Sequence, residues 1–315
     1  MRVFVTGGAG YIGTKVIEKL LENNIKVRCW DNLTFGTSSL SNFLNNPNFE
    51  LEKGDVREHK RITGHMFDCD ACIHLAALVF QGGEDLNNKI MEVNYNSTRR
   101  ITDICKNKGM KLIFTSTCSN YGQSNGFATE KSKLQGISPY AVSKIKAEKY
   151  ISMNYPDATI LRLSTGFGLS KKMRFDLIVN EMTRDAVMKK KITVYNPEAW
   201  RPGLHIDDIS QAIYLALTND ISGIYNVGHE SLNYQKKKLC EILQNTIPAI
   251  EVKTIKKGDP RDYKVSFDKI KNDLNFKSKR TIQYGTFEIM QAIEKGIIKN
   301  PYDRQYQNLE VYRNE

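Results

Sequence analysis

Arg2-Val3-Phe4-Val5-Thr6-Gly7-Gly8-Ala9-Gly10-Tyr11-Ile12-Gly13-Thr14-Lys15-Val16-Ile17-Glu18-Lys19-Leu20-Leu21 opens on an apolar run, passes through a cluster of glycines and ends in apolar residues at helical spacing. Arg2 to Thr6 reads as a short buried strand, and Val16, Ile17, Leu20 and Leu21 fall on one face of a helix. Gly7, Gly10 and Gly13 lie between the two. They let the backbone turn tightly and approach a pyrophosphate, which then meets the free amides and the positive end of the helix. Glycine spacing alone is a weak signal, but here it joins the strand and the helix that its mechanism requires. The stretch reads as a dinucleotide site, with Gly7, Gly10, Tyr11, Ile12 and Gly13 against the cofactor.

A second strand, Lys26 to Trp30, ends in Asp31-Asn32. An acidic side chain about twenty residues beyond the glycines can accept hydrogen bonds from the adenine ribose hydroxyls and repels a 2'-phosphate. No arginine follows Asp31 directly, so the expected cofactor is NAD rather than NADP. A third strand, Phe49 to Lys53, ends in Gly54-Asp55-Val56, and a fourth, Ala71 to Leu75, in Ala76-Ala77, small enough for a cofactor to lie close. A helix between Asn88 and Lys108 carries Asn94, and a fifth strand from Lys111 ends in Thr115-Ser116-Thr117. Strands alternating with helices predict an α/β fold, a doubly wound parallel sheet of the Rossmann type with ligands beyond the carboxyl ends of its strands. Every motif named so far falls at such an end.

Tyr140-Ala141-Val142-Ser143-Lys144 places a phenol and an ammonium one helical turn apart on the same face. A tyrosine of ordinary pKa, ~10, is a poor base at neutral pH unless a fixed positive charge favours the phenolate. Lys144 is the expected charge, lowering Tyr140 to ~7 with help from a positive nicotinamide in a water-poor site.

Taken together and in order, Gly7-x-x-Gly10-x-x-Gly13, Asp31, Asp55-Val56, Leu75-Ala76-Ala77, Thr115-Ser116-Thr117-x-x-x-Tyr121-Gly122 and Tyr140-x-x-x-Lys144 resemble the extended short-chain dehydrogenase/reductases, in particular their nucleotide-sugar epimerases and dehydratases. The resemblance spans roughly the whole chain and is strongest as far as Gly168. It implies that Tyr140 is the acid-base group on a sugar hydroxyl, that Lys144 holds the nicotinamide ribose, that Thr117 binds the reacting oxygen, and that Asn94 lies near that ribose. It also implies a homodimer and a nucleotide diphosphate sugar as substrate. Met173 to Asn180 and Trp200 to Asp208 look like the family's nucleotide-binding segments, which brings in Arg174, Asn180 and Arg201. The guanidinium of Arg201 suits a diphosphate, which it can bind through two oxygens. Asp259-Pro260-Arg261-Asp262-Tyr263 is similar to a further such stretch and makes Arg261 a contact to the diphosphate or base. Many relatives carry asparagine where Thr165 stands at the end of a sixth strand, Ala158 to Leu163.

These matches divide the chain into a cofactor domain, residues 1–168 with 203–228 returning to it, and a smaller interleaved C-terminal substrate domain, 169–202 and 229–315. Ser222 to Val227 adds a strand to the sheet. The polar segment from Asn300 to Glu315, without periodicity, reads as an extended or loosely packed tail.

Composition narrows the function classes. Hydrophobic residues make up 40% and charged residues 26%, as in a globular protein, and no apolar run reaches the ~18 residues of a membrane span. The first strand begins at Arg2, which leaves no room for a signal peptide. Six scattered cysteines, Cys69 and Cys72 of a lone CxxC among them, read as reduced core thiols in a cytoplasmic protein. The net charge of +11 calls for an anionic partner, and its short, dispersed lysine clusters without a nucleic-acid module favour a small polyanion over nucleic acid or membrane. The histidines show no metal-ligand spacing, His74 reading as a core residue, and no GxSxG elbow points to a hydrolase.

The expected reaction is transient oxidation of a nucleotide-linked sugar at C4. Family dehydratases place an aspartate-glutamate pair after the threonine, where this chain has Cys118-Ser119, so dehydration is disfavoured. Epimerisation needs no further residue and is the leading expectation. A 4-dehydrogenase that releases the keto sugar needs only the same three residues, and Arg174-Phe175-Asp176 and Arg261-Asp262-Tyr263 look similar to a branch that oxidises GDP-linked heptoses. A catalytically silent NAD-binding interaction protein is the third possibility, disfavoured by the intact Thr117, Tyr140 and Lys144.

Overall fold

Alternate residues of the first strand point to opposite faces of the sheet, and both faces are covered. The computed structural model describes residues 1–79, 83–257, 260–308 and 311; Asp259 lies outside them. Val3 and Val5 of β1 (Arg2–Thr6) pack with Val16, Ile17 and Leu20 of α1 (Tyr11–Glu22), whereas Phe4 packs in a second core on the other face. The chain continues through β2 (Lys26–Asp31), β3 (Phe49–Lys53), α2 (His59–His65), β4 (Ala71–His74), α3 (Glu84–Met91), α4 (Ser97–Lys108), β5 (Lys111–Thr117), β6 (Gln123–Ala128), α5 (Pro139–Asn154) and β7 (Thr159–Leu163). Then come β8 (Thr165–Phe167), α6 (Ile178–Lys189), β9 (Lys191–Tyr195), β10 (Trp200–His205), α7 (Ile206–Thr218) and β11 (Gly223–Val227). The last elements are β12 (Asn233–Gln235), α8 (Lys236–Thr246), β13 (Glu251–Ile255), β14 (Asp262–Val265), α9 (Asp268–Leu274) and α10 (Ile282–Glu294).

Seven strands form one sheet in the order β11-β7-β5-β4-β1-β2-β3, and every neighbouring pair is parallel. The fold is therefore a doubly wound α/β sheet. Its order reverses between β1 and β4, and the crevice at that switch is where such sheets bind ligands. The central strands β1, β4 and β5 are buried on both sides and carry apolar runs, whereas β3 at the sheet edge is partly exposed. The segment 223–227 joins as the edge strand beside β7.

The other strands form small separate sheets: β12-β10-β8, the parallel pair β13-β9 and the parallel pair β14-β6. Met173, Phe175 and Ile206 pack with Tyr11 and with Ile289 and Ile293 of α10, so a third core fastens this part of the chain to the start of α1.

Two segments depart from the sequence reading. The helix expected from Asn88 starts at Glu84 and is broken by a π turn, Glu92–Asn96, before α4. The C-terminal segment is packed rather than loose as far as it is described: Tyr306 sets its ring edge-on against Phe175 at 5.6 Å, and the Phe175 amide donates to the Tyr306 carbonyl at 2.9 Å.

Candidate functional site

A cavity of about 1030 Å³ lies along the carboxyl ends of β1, β2, β4 and β5 and continues between α5 and α6. Its inner wall is made by close backbone approach. Gly7 has φ +72°, and a Cβ there would lie 2.7 Å from the Ala76 amide nitrogen. A Cβ on Gly13 would fall 2.3 Å from the Gly7 carbonyl oxygen. Side chains at either point would fill the turn that opens α1, and no residue larger than glycine preserves it. Gly7, Gly10, Tyr11, Ile12 and Gly13 all line the cavity, as do Asp31, Asn32, Asp55, Val56, Leu75, Ala76, Ala77 and Thr115.

Asp31 Oδ2 accepts the Ala9 amide at 3.0 Å and Oδ1 the Leu33 amide at 2.8 Å, which fixes the carboxylate at the end of β2 beside the glycine turn. Burial raises its pKa, and those two amides counter the rise. Asp55 is held by Arg57 through two bonds of 2.8 and 2.9 Å. Burial opposes its charge, yet Arg57 carries its pKa below the ordinary carboxylate value. A cradle of glycine backbone at a helix start, followed by a carboxylate on the next strand end, suits the pyrophosphate and ribose of a dinucleotide.

Further along, Thr117 ends β5 and faces Tyr140 in the first turn of α5. That helix starts with Ser138 as cap, its Oγ accepting the Ala141 amide at 3.2 Å, and Pro139 in the first turn. Thr117 Oγ1 accepts the Ser119 amide at 3.1 Å, and its hydroxyl lies near enough to Tyr140 to pull the phenol's pKa down. With an acceptor lone pair taken by Ser119, the threonine proton is free to point at the phenol oxygen, where it favours the phenolate.

Lys144 is held against the end of β5. It lies one turn along α5 from Tyr140, but its Nζ donates to the Thr115 carbonyl at 2.8 Å and sits 4.4 Å from the centre of the Phe114 ring. Burial pushes its pKa down to about 7, against the pull of Glu148. Tyr140 is pushed up to about 12 by burial, and the charge that opposes this most is Arg174, ahead of the Thr117 hydroxyl. Helical spacing puts two residues on one face; it carries no information on their desolvation or on a cation arriving from a distant segment.

Arg174 comes from the loop before α6 and forms a two-point pair with Asp176, at 2.9 and 2.8 Å. It lines the cavity with Thr165, Arg201 and Arg261. Arg201 is buried, donates to the Trp200 carbonyl at 2.8 Å and to the Arg261 carbonyl, and lies over the Tyr263 ring. Three arginines from separate segments thus line the same cavity.

Two expected contacts stand one layer behind its wall. Asn94, in the π turn, accepts the Leu78 amide at 2.8 Å and donates to the Leu78 carbonyl at 2.9 Å and to Ser143 Oγ at 3.1 Å. Its amide thereby ties the loop after β4 to the helix that carries Tyr140. Asn180 binds the Gly168 amide, the Tyr11 hydroxyl and the Arg174 carbonyl. Both amides are engaged by protein groups and brace the wall from behind.

The sequence reading missed Ser119, Lys172, Asp176 and Lys236, all of which line the cavity. Ser119 follows Thr117 by two residues, and Lys172 and Asp176 flank Arg174, so proximity to the motifs was the available signal. It also missed a buried network under Thr117: Arg162 pairs with Glu148 at 2.7 Å, and Glu148 accepts from Asn120 at 2.8 Å and from Ser116. His74 is the bonded core residue expected, between Thr6 Oγ1 at 2.6 Å and Thr98 Oγ1 at 2.9 Å. The six cysteines are buried and unbridged. Among the described residues there is no cluster of metal-ligating side chains and no helix long and apolar enough to cross a membrane.

A doubly wound sheet with a glycine cradle at its switch point and a threonine, tyrosine and lysine beside it defines a dinucleotide-dependent enzyme. Residues 3–228 match the NAD dependent epimerase/dehydratase family, and the chain belongs to it. NAD is its cofactor, and the glycine cradle and Asp31 fit that molecule. The chain is 25% identical over 302 residues to UDP-glucuronic acid decarboxylase 1 of Arabidopsis thaliana, covering 90% of this chain and 68% of the relative. It is 27% identical over 259 residues to a putative UDP-glucose 4-epimerase of Methanocaldococcus jannaschii, covering 78% and 82%. The fold matches that of dTDP-glucose 4,6-dehydratase from Bacillus anthracis in complex with NAD, with a TM-score of 0.83 and 23% identity over 98% of this chain and 99% of that one.

Proposed function

We propose that the protein is a nucleotide-sugar epimerase working through a 4-keto intermediate. The observation that carries the reading is that Thr117 and Tyr140 line one cavity with the glycine cradle, while the two positions after Thr117 hold Cys118 and Ser119 rather than carboxylic acids. Tyr140, made phenolate by the charge of Arg174 and of the nicotinamide that bound NAD would add, takes the proton of the C4 hydroxyl, and Thr117 holds that oxygen in line. Bound NAD would supply the hydride acceptor for C4, and inversion requires that the hydride return to the opposite face of the 4-keto sugar. Tyr140 then returns the proton to the oxygen. Lys144 steadies the end of β5 through Thr115 and contributes positive charge to the ribose side of the cavity. Arg174, Arg201 and Arg261 supply the charge that a diphosphate needs. Gly7, Gly10, Tyr11, Ile12, Gly13, Asp31 and Asp55 hold the cofactor. A homodimer in the cytoplasm is part of this reading, and the unbridged thiols fit a reducing compartment.

A second reading comes from the decarboxylase relative. Oxidation at C4 turns a nucleotide-linked hexuronic acid into a β-keto acid, whose C5–C6 bond breaks to release carbon dioxide. The electrons left at C5 take up a proton, and the ketone is then reduced. No base beyond Tyr140 is required for the oxidation.

The test is to mix purified protein with UDP-, GDP-, CDP- and dTDP-linked hexoses and hexuronic acids while following the NADH absorbance band and the sugar by NMR. Conversion between C4 epimers without net NADH supports the epimerase. Carbon dioxide and a pentose identify the decarboxylase, lasting NADH identifies a dehydrogenase such as one acting on GDP-heptoses, and no turnover across the panel overturns the enzymatic reading.

A further inference from the structure

The C-terminal segment carries more structure than a polar tail needs, and all of it is directed at the outer wall of the cavity. Tyr302 donates its hydroxyl to Asp185 at 3.0 Å and lies under the Arg184 guanidinium, 4.5 Å from the ring centre, so it grips α6. Gln305 gives its carbonyl to the buried Lys172 Nζ at 2.7 Å. Tyr306 holds Phe175 through its ring and through the backbone bond at 2.9 Å. These anchors fall on the loop that carries Arg174 and on the helix after it.

The segment then turns into the cavity itself. Asn308 lines it, is only 7% exposed, and has a buried side-chain oxygen with no hydrogen-bond partner among the described residues. A buried amide oxygen left unmatched is costly, and protein interiors rarely tolerate one without reason. The anchors at Tyr302, Gln305 and Tyr306 explain why the chain is held here, and the unmatched oxygen faces the cavity as an acceptor open to a ligand's donor. The two molecules that share this cavity, the cofactor and the sugar nucleotide, both present ribose hydroxyls.

We propose that residues 302–308 form a fixed strap that completes the binding cavity and offers the Asn308 carboxamide to a ligand ribose hydroxyl. The strap has two functions. Its anchors set the position of the 172–176 loop, and its last residue makes a direct polar contact. The assignment of the cavity to a nucleotide sugar underlies one of the two hydroxyl sources, that of the substrate; the cofactor is the other.

The test uses the full chain, wild type and Asn308→Ala, titrated calorimetrically with NAD alone and then, NAD-saturated, with UDP, GDP, CDP and dTDP. The expected result is a loss of about fivefold in affinity for one class of ligand, the worth of one neutral hydrogen bond, with the melting temperature unchanged or raised. Loss for NAD assigns the hydroxyl to the cofactor; loss for a nucleoside diphosphate assigns it to the substrate. If both affinities stay within error, the contact is wrong. If wild type binds no diphosphate in the panel, the substrate reading falls while the NAD titration still decides the strap. Tyr306→Ala separates anchoring from contact: it should weaken diphosphate binding through the 172–176 loop, whereas an unchanged affinity overturns the anchoring role.

Discussion

The Lys144 ammonium is bonded to the carbonyl of Thr115, two residues before Thr117 on the same strand end, at 2.8 Å. This couples the active helix to the strand that presents the threonine. It also keeps a cation in a place where burial holds its pKa near 7. The sign of the stability effect follows. An ammonium whose folded value lies below its ordinary ~10.4 releases its proton first in the folded state, so stability rises with pH between about 7 and ~10.4 and gains nothing below that window. Lys144→Met removes the slope. The variant should be favoured over wild type most below pH 7, with the difference shrinking towards pH 10, as read from melting temperatures across that range. A constant difference would mean that Lys144 is fully charged throughout.

Arg174 reaches Tyr140 from a segment more than thirty residues away in the chain. Burial raises the phenol and Arg174 opposes it, so removing the guanidinium should make the phenolate harder to form. Arg174→Gln is expected to move the acid limb of the kcat profile to higher pH, and Arg174→Lys to move it less. An unmoved limb with a raised KM would make Arg174 a ligand contact alone. Tyr140→Phe should lower turnover by about 10²–10⁴, the range for loss of a positioned acid-base group, while retaining NAD.

What could be read from the chain was whatever depends on short spacing. The strand, glycine turn and helix from Arg2 to Leu21, the carboxylate at Asp31 and the tyrosine-lysine turn on α5 each lie within a few residues of the partners that define them, and the alternation of strands and helices sufficed for the parallel sheet. Roles that depend on what surrounds a side chain were not legible. Asn94 and Asn180 have the right chemistry for a ligand, and nothing in their spacing shows that the Leu78 and Gly168 backbones engage their amides. Asn308 sits in a stretch without periodicity, and long-range contacts of Tyr302, Gln305 and Tyr306 hold it at the cavity.

Gly13 tests the cradle with one methyl group. A Cβ there would lie 2.3 Å from the Gly7 oxygen and 2.6 Å from Gly8 Cα, both backbone atoms that cannot swing away. Gly13→Ala should therefore open the turn, release bound NAD and cost about 1–3 kcal/mol of stability, the usual penalty of overpacking. NAD content after purification, together with a denaturant titration, measures both. A variant that keeps its NAD would show that the turn yields more easily than its contacts imply.

Glu148 and Arg162 decide whether the floor under Thr117 is held by charge or by packing. Each side chain is about 3% exposed, and their 2.7 Å pair joins α5 to β7, while Glu148 also takes hydrogen bonds from Asn120 and Ser116 of the strand end and turn around Thr117. Removing one member leaves the other charge buried without its partner, a loss of about 3–5 kcal/mol in comparable sites. Arg162→Met alone should fall in that range by denaturant titration. The double variant Glu148→Gln with Arg162→Met should recover part of the loss, because no uncompensated charge remains. If the pair only stabilises, the double variant recovers turnover along with stability. If it positions Thr117 and Lys144, the double variant regains stability while kcat stays low and KM is little changed, since the strand end is no longer fixed against α5.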